Sequence, residues 1–361
     1  MSASPMDLLR DDLRDFAGYR SARSSRLVGD AWLNANESPW PNPVVGADGL
    51  RRYPEPQPTA LRAAMAARYG CLPEQVLAGR GSDEGIDLLI RALCRPGADA
   101  VVVTPPTFGM YEVCARLHWA RVLGVPLEDG DAGFRCDSDA VAETVLAGGA
   151  KLVFLCSPGN PGGNLLPLAD IDALARRLQG RALVVVDEAY IEFAQAISAV
   201  TLVGRHRNVA VLRTLSKAHA LAAARVGCVV ADAELVAMLQ RCQSPYPLAA
   251  PCSELACNAL GDAAWQATRT RIDAVIEERG RLAHQMAQLP SVARVYPSSA
   301  NFLLVRFTDA RVAMQHLLRA GIVVRDMRAH DGMADALRIT VGTPSQNRRV
   351  IEAIAAMEVA A

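Results

Sequence analysis

The stretch ALVVVDEAY, residues 182–190, runs five apolar residues straight into an acid, with no polar position between them. A strand with one wet face alternates apolar and polar residues, whereas a strand buried on both faces reads as an unbroken apolar run. Similar apolar runs recur at QVLA (75–78), VVV (101–103), LVFLC (152–156), VAVLR (209–213) and VGCVVA (226–231). Helical patterns separate them. In the segment that begins at Ser82, residues Ile86, Leu89, Ile90 and Leu93 keep the i, i+3, i+4, i+7 spacing of an amphipathic helix. Ser82 is placed to N-cap it, Asp83 and Glu84 suit its first turn, and Pro96-Gly97 ends it. Another helix is expected around 168–179. Buried strands alternating with helices predict a large α/β domain with helices on both faces of its sheet.

After SPYPLAAP (244–251) the texture changes. A long helix is expected from about 263 to 289, then strands at 301–306, 322–325 and 336–341, with helices between and after. That pattern predicts a smaller α+β domain. The first 45 residues are spotted with proline and asparagine and read as an arm. The expected division is an arm over 1–45 packing with the small domain, a large domain over 46–247 and a small domain over 248–361.

The totals narrow the class of function. The chain has 361 residues, 51% of them hydrophobic, which suffices for a sizeable core. Its 38 basic and 38 acidic residues cancel, so no basic field for nucleic acid or a membrane surface is expected. The apolar runs fall far short of the roughly 20 residues of a membrane span. MSASPMDLLRDDLRD, at the start, is acidic and lacks the apolar core of a secretory leader. Nine scattered cysteines form no CxxC pair and read as small buried hydrophobes in a reducing cytoplasm. The six histidines are isolated, so no metal site is expected.

Chemistry concentrates around TLSKAHALAAARVG, residues 214–227. Lys217 lies there among leucines and alanines, and no acid occurs within ten positions on either side. A buried ammonium without a partner lowers its pKa, and a lysine that is neutral part of the time can bond covalently to an aldehyde. The alternative is a lysine whose stem is covered while its head reaches water. Asp187 closes the ALVVVD run, at the strand end where open α/β sheets bind ligands. There a carboxylate can pair with a protonated pyridine nitrogen; a helix cap or turn aspartate is the other reading. FLCSPGNPGG (154–163) is a loop after a strand, and its Asn160 offers an amide to a phenolic oxygen. Thr214, Ser216 and Arg225 surround Lys217 with phosphate-binding groups. The glycine turn before Ser82 is a second anion site through free backbone N–H groups. GRGSDEG does not match GxGxxG, so a dinucleotide site is not indicated.

The order Asn160, Asp187, Tyr190, Lys217, Arg225 resembles that of the aspartate-aminotransferase-type pyridoxal-phosphate enzymes. More narrowly, the chain is similar to the histidinol-phosphate aminotransferases over YRSAR (19–23), WLNANESP (32–39), RYPEPQP (52–58), RGSDEGIDLLIRA (80–92), PPTFGMY (105–111), CSPGNP (156–161), VVDEAYIEF (185–193), LRTLSKA (212–218) and LRITVGT (337–343). The resemblance implies a fold-type-I architecture: a large domain with a mostly parallel seven-stranded sheet flanked by helices, a smaller α+β domain and an N-terminal arm. It implies pyridoxal 5'-phosphate as cofactor, bonded to Lys217, which later shuttles the substrate proton. Asp187 would hold the ring nitrogen protonated. Asn160 and Tyr190 would contact the ring oxygen, and Phe108 would cover the ring. Ser82, Asp83, Glu84, Thr214, Ser216 and Arg225 would surround the phosphate, the acidic pair through backbone N–H groups. Tyr53 would reach the phosphate of a neighbouring subunit, which implies a homodimer.

Substrate contacts are expected from Tyr19, Asn36, Arg325 and Arg338. Arginine forks bind carboxylate and phosphate alike, so one pocket could take glutamate and a phosphate monoester in turn. Internal salt bridges are the alternative for both arginines. The implied reaction is transamination of L-histidinol phosphate with 2-oxoglutarate, in histidine biosynthesis. The rival readings are an aromatic amino-acid aminotransferase, a threonine-phosphate decarboxylase and a non-catalytic pyridoxal-phosphate-binding regulator. The sequence departs from the family at Phe108, where tyrosine is common, at Gly159 and Gly162, where asparagine and threonine are usual, and at His219 and Ala223, where an aromatic and a glycine are common. His219 is expected in a supporting or surface role.

Overall fold

The computed structural model describes residues 4–19, 33–44 and 49–357. Residues 20–23 of the YRSAR block and Trp32 lie outside the described residues, as does part of the expected arm.

Seven strands form the main sheet, in the order Val76–Gly79, Gly227–Ala231, Val209–Thr214, Leu183–Asp187, Ala150–Cys156, Ala100–Val103, Arg121–Gly124. Gly227–Ala231 runs antiparallel to both its neighbours, and every other pairing is parallel. The unbroken apolar runs have the expected cause. Val153, Leu155, Val184 and Val186 enter one core layer, while Leu152, Phe154, Leu183 and Val185 enter the other. Side chains alternate across a strand, so an all-apolar run supplies both layers at once. Helix Ser82–Leu93 lies on the second layer and Leu168–Arg177 on the first.

A second sheet carries the order Val292–Val295, Phe302–Phe307, Ala336–Thr340, Arg325–Asp326, all antiparallel. It packs with the long helix Asp262–Met286 and with Ala310–Arg319 and Pro344–Ala355 around its own core.

The helix Ala250–Leu260 sends Ala256 and Leu260, with Leu248 ahead of it, into the core of the large sheet. Two expectations need correction. The strand expected at 322–325 is laddered only at Arg325–Asp326. Ile322 and Val324 do pack inward while Val323 is exposed, so the alternation fixes which way the side chains face without fixing the pairing. Finally, Gly81 rather than Ser82 is the N-cap of the Ser82–Leu93 helix. The chain turns there at φ +83°, a conformation that glycine adopts and serine resists.

Candidate active site

Three neighbouring parallel strands end at Cys156, Asp187 and Thr214, and all three residues line one pocket at the carboxyl edge of the sheet. This is where open α/β sheets place ligands. Ser82, Asp83, Phe108, Asn160, Tyr190, Ser216, Lys217 and Arg225 complete the wall.

Asp187 is only 3% exposed. Its Oδ2 accepts from the Tyr111 hydroxyl at 2.8 Å and its Oδ1 from the Ala189 N–H at 3.1 Å. Burial pushes its carboxyl up to about 6, against the pull of those two donors. Next to it in sequence, Glu188 serves a different purpose. It accepts from the Ala199 N–H at 2.6 Å and pairs with buried Arg213 at 3.3 Å. Arg213 also meets Glu192 at 2.7 Å, and this buried ionic knot braces the loop that carries Tyr190.

Lys217 has no ion pair among the described residues. Burial lowers its ammonium pKa first of all, and the positive Arg338 lowers it further. Its Nζ lies 5.9 Å from the centre of the Tyr190 ring. An amine so placed is a better nucleophile than a solvated one, because its proton is held less tightly.

On the oxygen side, Asn160 Nδ2 donates to Tyr190 Oη at 3.3 Å, so the two residues named for a phenolic oxygen already touch. Arg338 Nη1 donates to the other atom of the same amide, Asn160 Oδ1. The Arg338 Nε is buried and unpartnered, and the guanidinium lies 5.1 Å from the Phe302 ring centre.

The anion end is built from backbone. Gly227 opens its strand opposite Thr214 and against Gly81; a Cβ on Gly227 would come within 2.7 Å of Gly81 C and of Arg213 O. Arg225, itself left-handed at φ +52°, donates from Nη2 to Asp83 Oδ2 at 3.2 Å and from Nη1 to Ser216 Oγ at 3.3 Å. Helix N–H groups, two hydroxyls and a guanidinium therefore converge where a phosphate would sit.

This donor set fits pyridoxal 5'-phosphate. The residues offer an acid for a ring nitrogen, an amine for an aldehyde, an amide and a phenol for a ring oxygen, and a glycine-walled anion cradle. Phe108 supplies the aromatic cover.

The structure does not bring every expected residue here. The Glu84 carboxylate accepts from the Arg80 N–H at 2.7 Å and from Gln243 Nε2 at 3.2 Å, so that side chain is committed elsewhere and only its backbone remains for the phosphate. Tyr53 is half exposed and stacks on Tyr246 at 4.5 Å, outside its own chain's pocket. Tyr19 is 73% exposed, and Asn36, at φ +55°, is exposed as well. Arg325 is exposed and stands opposite Arg338 on the adjacent strand.

Departures from the family find local explanations. Asn164 Oδ1 fills the space that a side chain on Gly159 would need, and Asn164 with Phe134 fills that of Gly162. His219 is buried, stacked on Trp265 at 5.5 Å, and borders a separate cavity rather than this pocket. Two contributors escaped the sequence reading: Tyr111, which sits in PPTFGMY with no sign of its partner, and Glu188, whose acid looks equivalent to Asp187 until strand alternation separates them.

Among the described residues no helix is long and apolar enough to cross a membrane, and no cluster of metal-binding side chains occurs. All nine cysteines are free.

The family model for aminotransferases of class I and II matches residues 19–354. Over 355 residues the chain is 61% identical to a histidinol-phosphate aminotransferase of Xanthomonas euvesicatoria pv. vesicatoria, covering 98% of each chain. It is 57% identical to one of Stenotrophomonas maltophilia, over 98% of this chain and 97% of the other. Among solved structures, histidinol-phosphate aminotransferase of Sinorhizobium meliloti in complex with pyridoxal 5'-phosphate matches with a TM-score of 0.76 at 25% identity, over 86% of this chain and 84% of that one.

Proposed function

This chain belongs to the class I and II aminotransferases, and on that premise we propose that it transfers the amino group of L-histidinol phosphate to 2-oxoglutarate. The products are imidazole-acetol phosphate and L-glutamate, in a step of histidine biosynthesis, and the cofactor is pyridoxal 5'-phosphate. The observation that carries the reaction class is Lys217 and Asp187 in one pocket beside a phosphate cradle. The substrate rests on 61% identity to a histidinol-phosphate aminotransferase across 98% of the chain.

When bound, pyridoxal phosphate supplies an aldehyde carbon that bonds to amines and a ring that withdraws electrons from the neighbouring C–H bond. The residues supply the rest. Asp187 offers carboxylate lone pairs to a ring N–H and favours its protonated form. At about 3 Å and an effective dielectric near 20, that attraction is roughly 5 kcal/mol before desolvation. Lys217 Nζ would hold the aldehyde carbon, and as a free amine it would take up and give back the substrate proton, tasks that its lowered basicity suits. Tyr190 and Asn160 would hold the ring oxygen. Arg338, with Arg325 beside it, receives the phosphate of one substrate and a carboxylate of the other.

The homodimer, with Tyr53 reaching the neighbouring site, is supported by a Tyr53 ring that is half exposed, stacked on Tyr246 and not part of its own pocket's wall. Tyr19 and Asn36 would add to the substrate contacts from the arm, and their exposure leaves them available for that. A cytoplasmic location accords with nine free thiols.

The test is a half-reaction. Protein reconstituted with pyridoxal phosphate should lose its visible chromophore on addition of histidinol phosphate and regain it with 2-oxoglutarate. Phenylalanine should act poorly and no carbon dioxide should be released. Cofactor binding without any amine turnover would favour the regulator reading instead.

A further inference from the structure

Tyr111 belongs to helix Met110–Leu117 and is fully buried. Its ring stacks on Phe154 at 4.8 Å with the planes 7° apart, and it meets the edge of Phe108 at 5.6 Å and 84°. Phe154 is locked in the core of the sheet and Phe108 lines the pocket, so two faces of the phenol are fixed. The hydroxyl lies beside the Cys156 thiol as well, and it donates to Asp187 Oδ2 at 2.8 Å across 76 residues of sequence.

The surroundings make this donor matter. Asp187 has no ion pair among the described residues; the nearby Asp83 and Glu188 oppose its charge, while the Lys217 ammonium attracts it without touching it. Cys156, also buried beside it, carries a thiol that burial holds protonated. Desolvation and like charge thus oppose an ionised Asp187; besides the more distant Lys217 charge, two direct donors favour it, the Ala189 N–H and the Tyr111 hydroxyl. A hydrogen bond to the charged form of an acid stabilises that form.

We propose that Tyr111 is a positioning residue for transamination, whose hydroxyl keeps Asp187 ionised and aimed so that it can hold a pyridine nitrogen protonated. The proposal rests on the cofactor reading above and extends it by one residue. Tyr111 itself touches neither substrate nor cofactor; it acts through the acid.

Tyr111→Phe removes one oxygen and keeps the ring that packs on Phe154. Protein reconstituted with 15N-labelled pyridoxal 5'-phosphate reports the state of the ring nitrogen directly through its chemical shift. The wild-type shift should be that of a protonated nitrogen, and Y111F should move it toward the unprotonated value. The kcat for histidinol phosphate should fall roughly ten- to a hundredfold with KM little changed. A second arm measures cofactor affinity of the apo proteins. Y111F should weaken it in the wild-type background and have no further effect on D187N. A cofactor-bound Y111F with an unchanged nitrogen shift, or an equal loss of affinity on the D187N background, would overturn the proposal. So would a Y111F chain that cannot fold, since the hydroxyl would then hold the fold together rather than tune the acid. Wild-type protein that binds no pyridoxal phosphate would instead remove the cofactor reading on which it rests.

Discussion

Arg325 and Arg338 stand directly opposite one another on adjacent antiparallel strands, and neither forms an ion pair with a carboxylate among the described residues. Like charges in that register repel. Burial and the neighbouring Arg325 both lower the Arg338 pKa, the direction expected of a cation awaiting an anion. Arg338→Lys keeps a charge but loses the fork. It should raise KM for both histidinol phosphate and 2-oxoglutarate by roughly ten- to a hundredfold, as charge-assisted hydrogen bonds of about 1.5–3 kcal/mol are lost. L-Histidinol, which has no phosphate, should be affected far less. Equal losses with and without the phosphate would remove Arg338 from the anion site. Exposed Arg325 should show the same pattern, more weakly.

Asp187 makes the cofactor-free protein sensitive to pH. Its folded value of about 6 lies above the ordinary 3.8, because burial disfavours the charge. A raised value means that the proton stabilises the fold. That contribution is complete below the unfolded value and is lost as pH rises through 6. The span of about 2 units corresponds to roughly 3 kcal/mol at most. Denaturant melts of apo wild type and apo D187N at pH 5 and pH 8 check it: the variant should gain on the wild type as pH rises. A difference between the two proteins that does not change with pH would contradict the burial of that charge.

Gly227 has a steric reason to be glycine. Every nearest atom to a Cβ built there is backbone, from Gly81 and Arg213, and backbone cannot swing away. Gly227→Ala should destabilise the protein by about 1–3 kcal/mol and weaken cofactor retention, because it pries apart the phosphate cradle. Gly204→Ala is the control, since nothing lies within 4 Å of its added methyl group. Thermal melts and cofactor titration of the two variants should therefore diverge.

Much of this was legible in the sequence because burial on both faces writes itself as an unbroken run. ALVVVD announced both its strand and the acid at its end, and Lys217 stood out through the lack of acids around it. Pairings across the fold were not legible. Tyr111 meets Asp187 only because two parallel crossovers bring their elements together, and nothing in PPTFGMY encodes that partner. The Ser82 cap was misplaced because a preference for serine at N-caps says nothing of a backbone at φ +83°. Asn164, filling the space beside Gly159 and Gly162, shows how a departure from a motif can be compensated two to five residues away.

Lys151 and Lys217 are the only lysines in the chain, which makes the decisive measurement a clean one. Lys151 sits at the start of the strand whose far end, Cys156, lines the pocket, so it lies about five residues, roughly 16 Å, from the site. Borohydride reduction of the cofactor-loaded protein, followed by digestion and mass spectrometry, locates the amine that holds pyridoxal phosphate. Modification of the peptide containing Lys217, abolished by substrate amine added before the reductant, is the expected result. Label on Lys151, or no label on a protein that binds the cofactor, would contradict it.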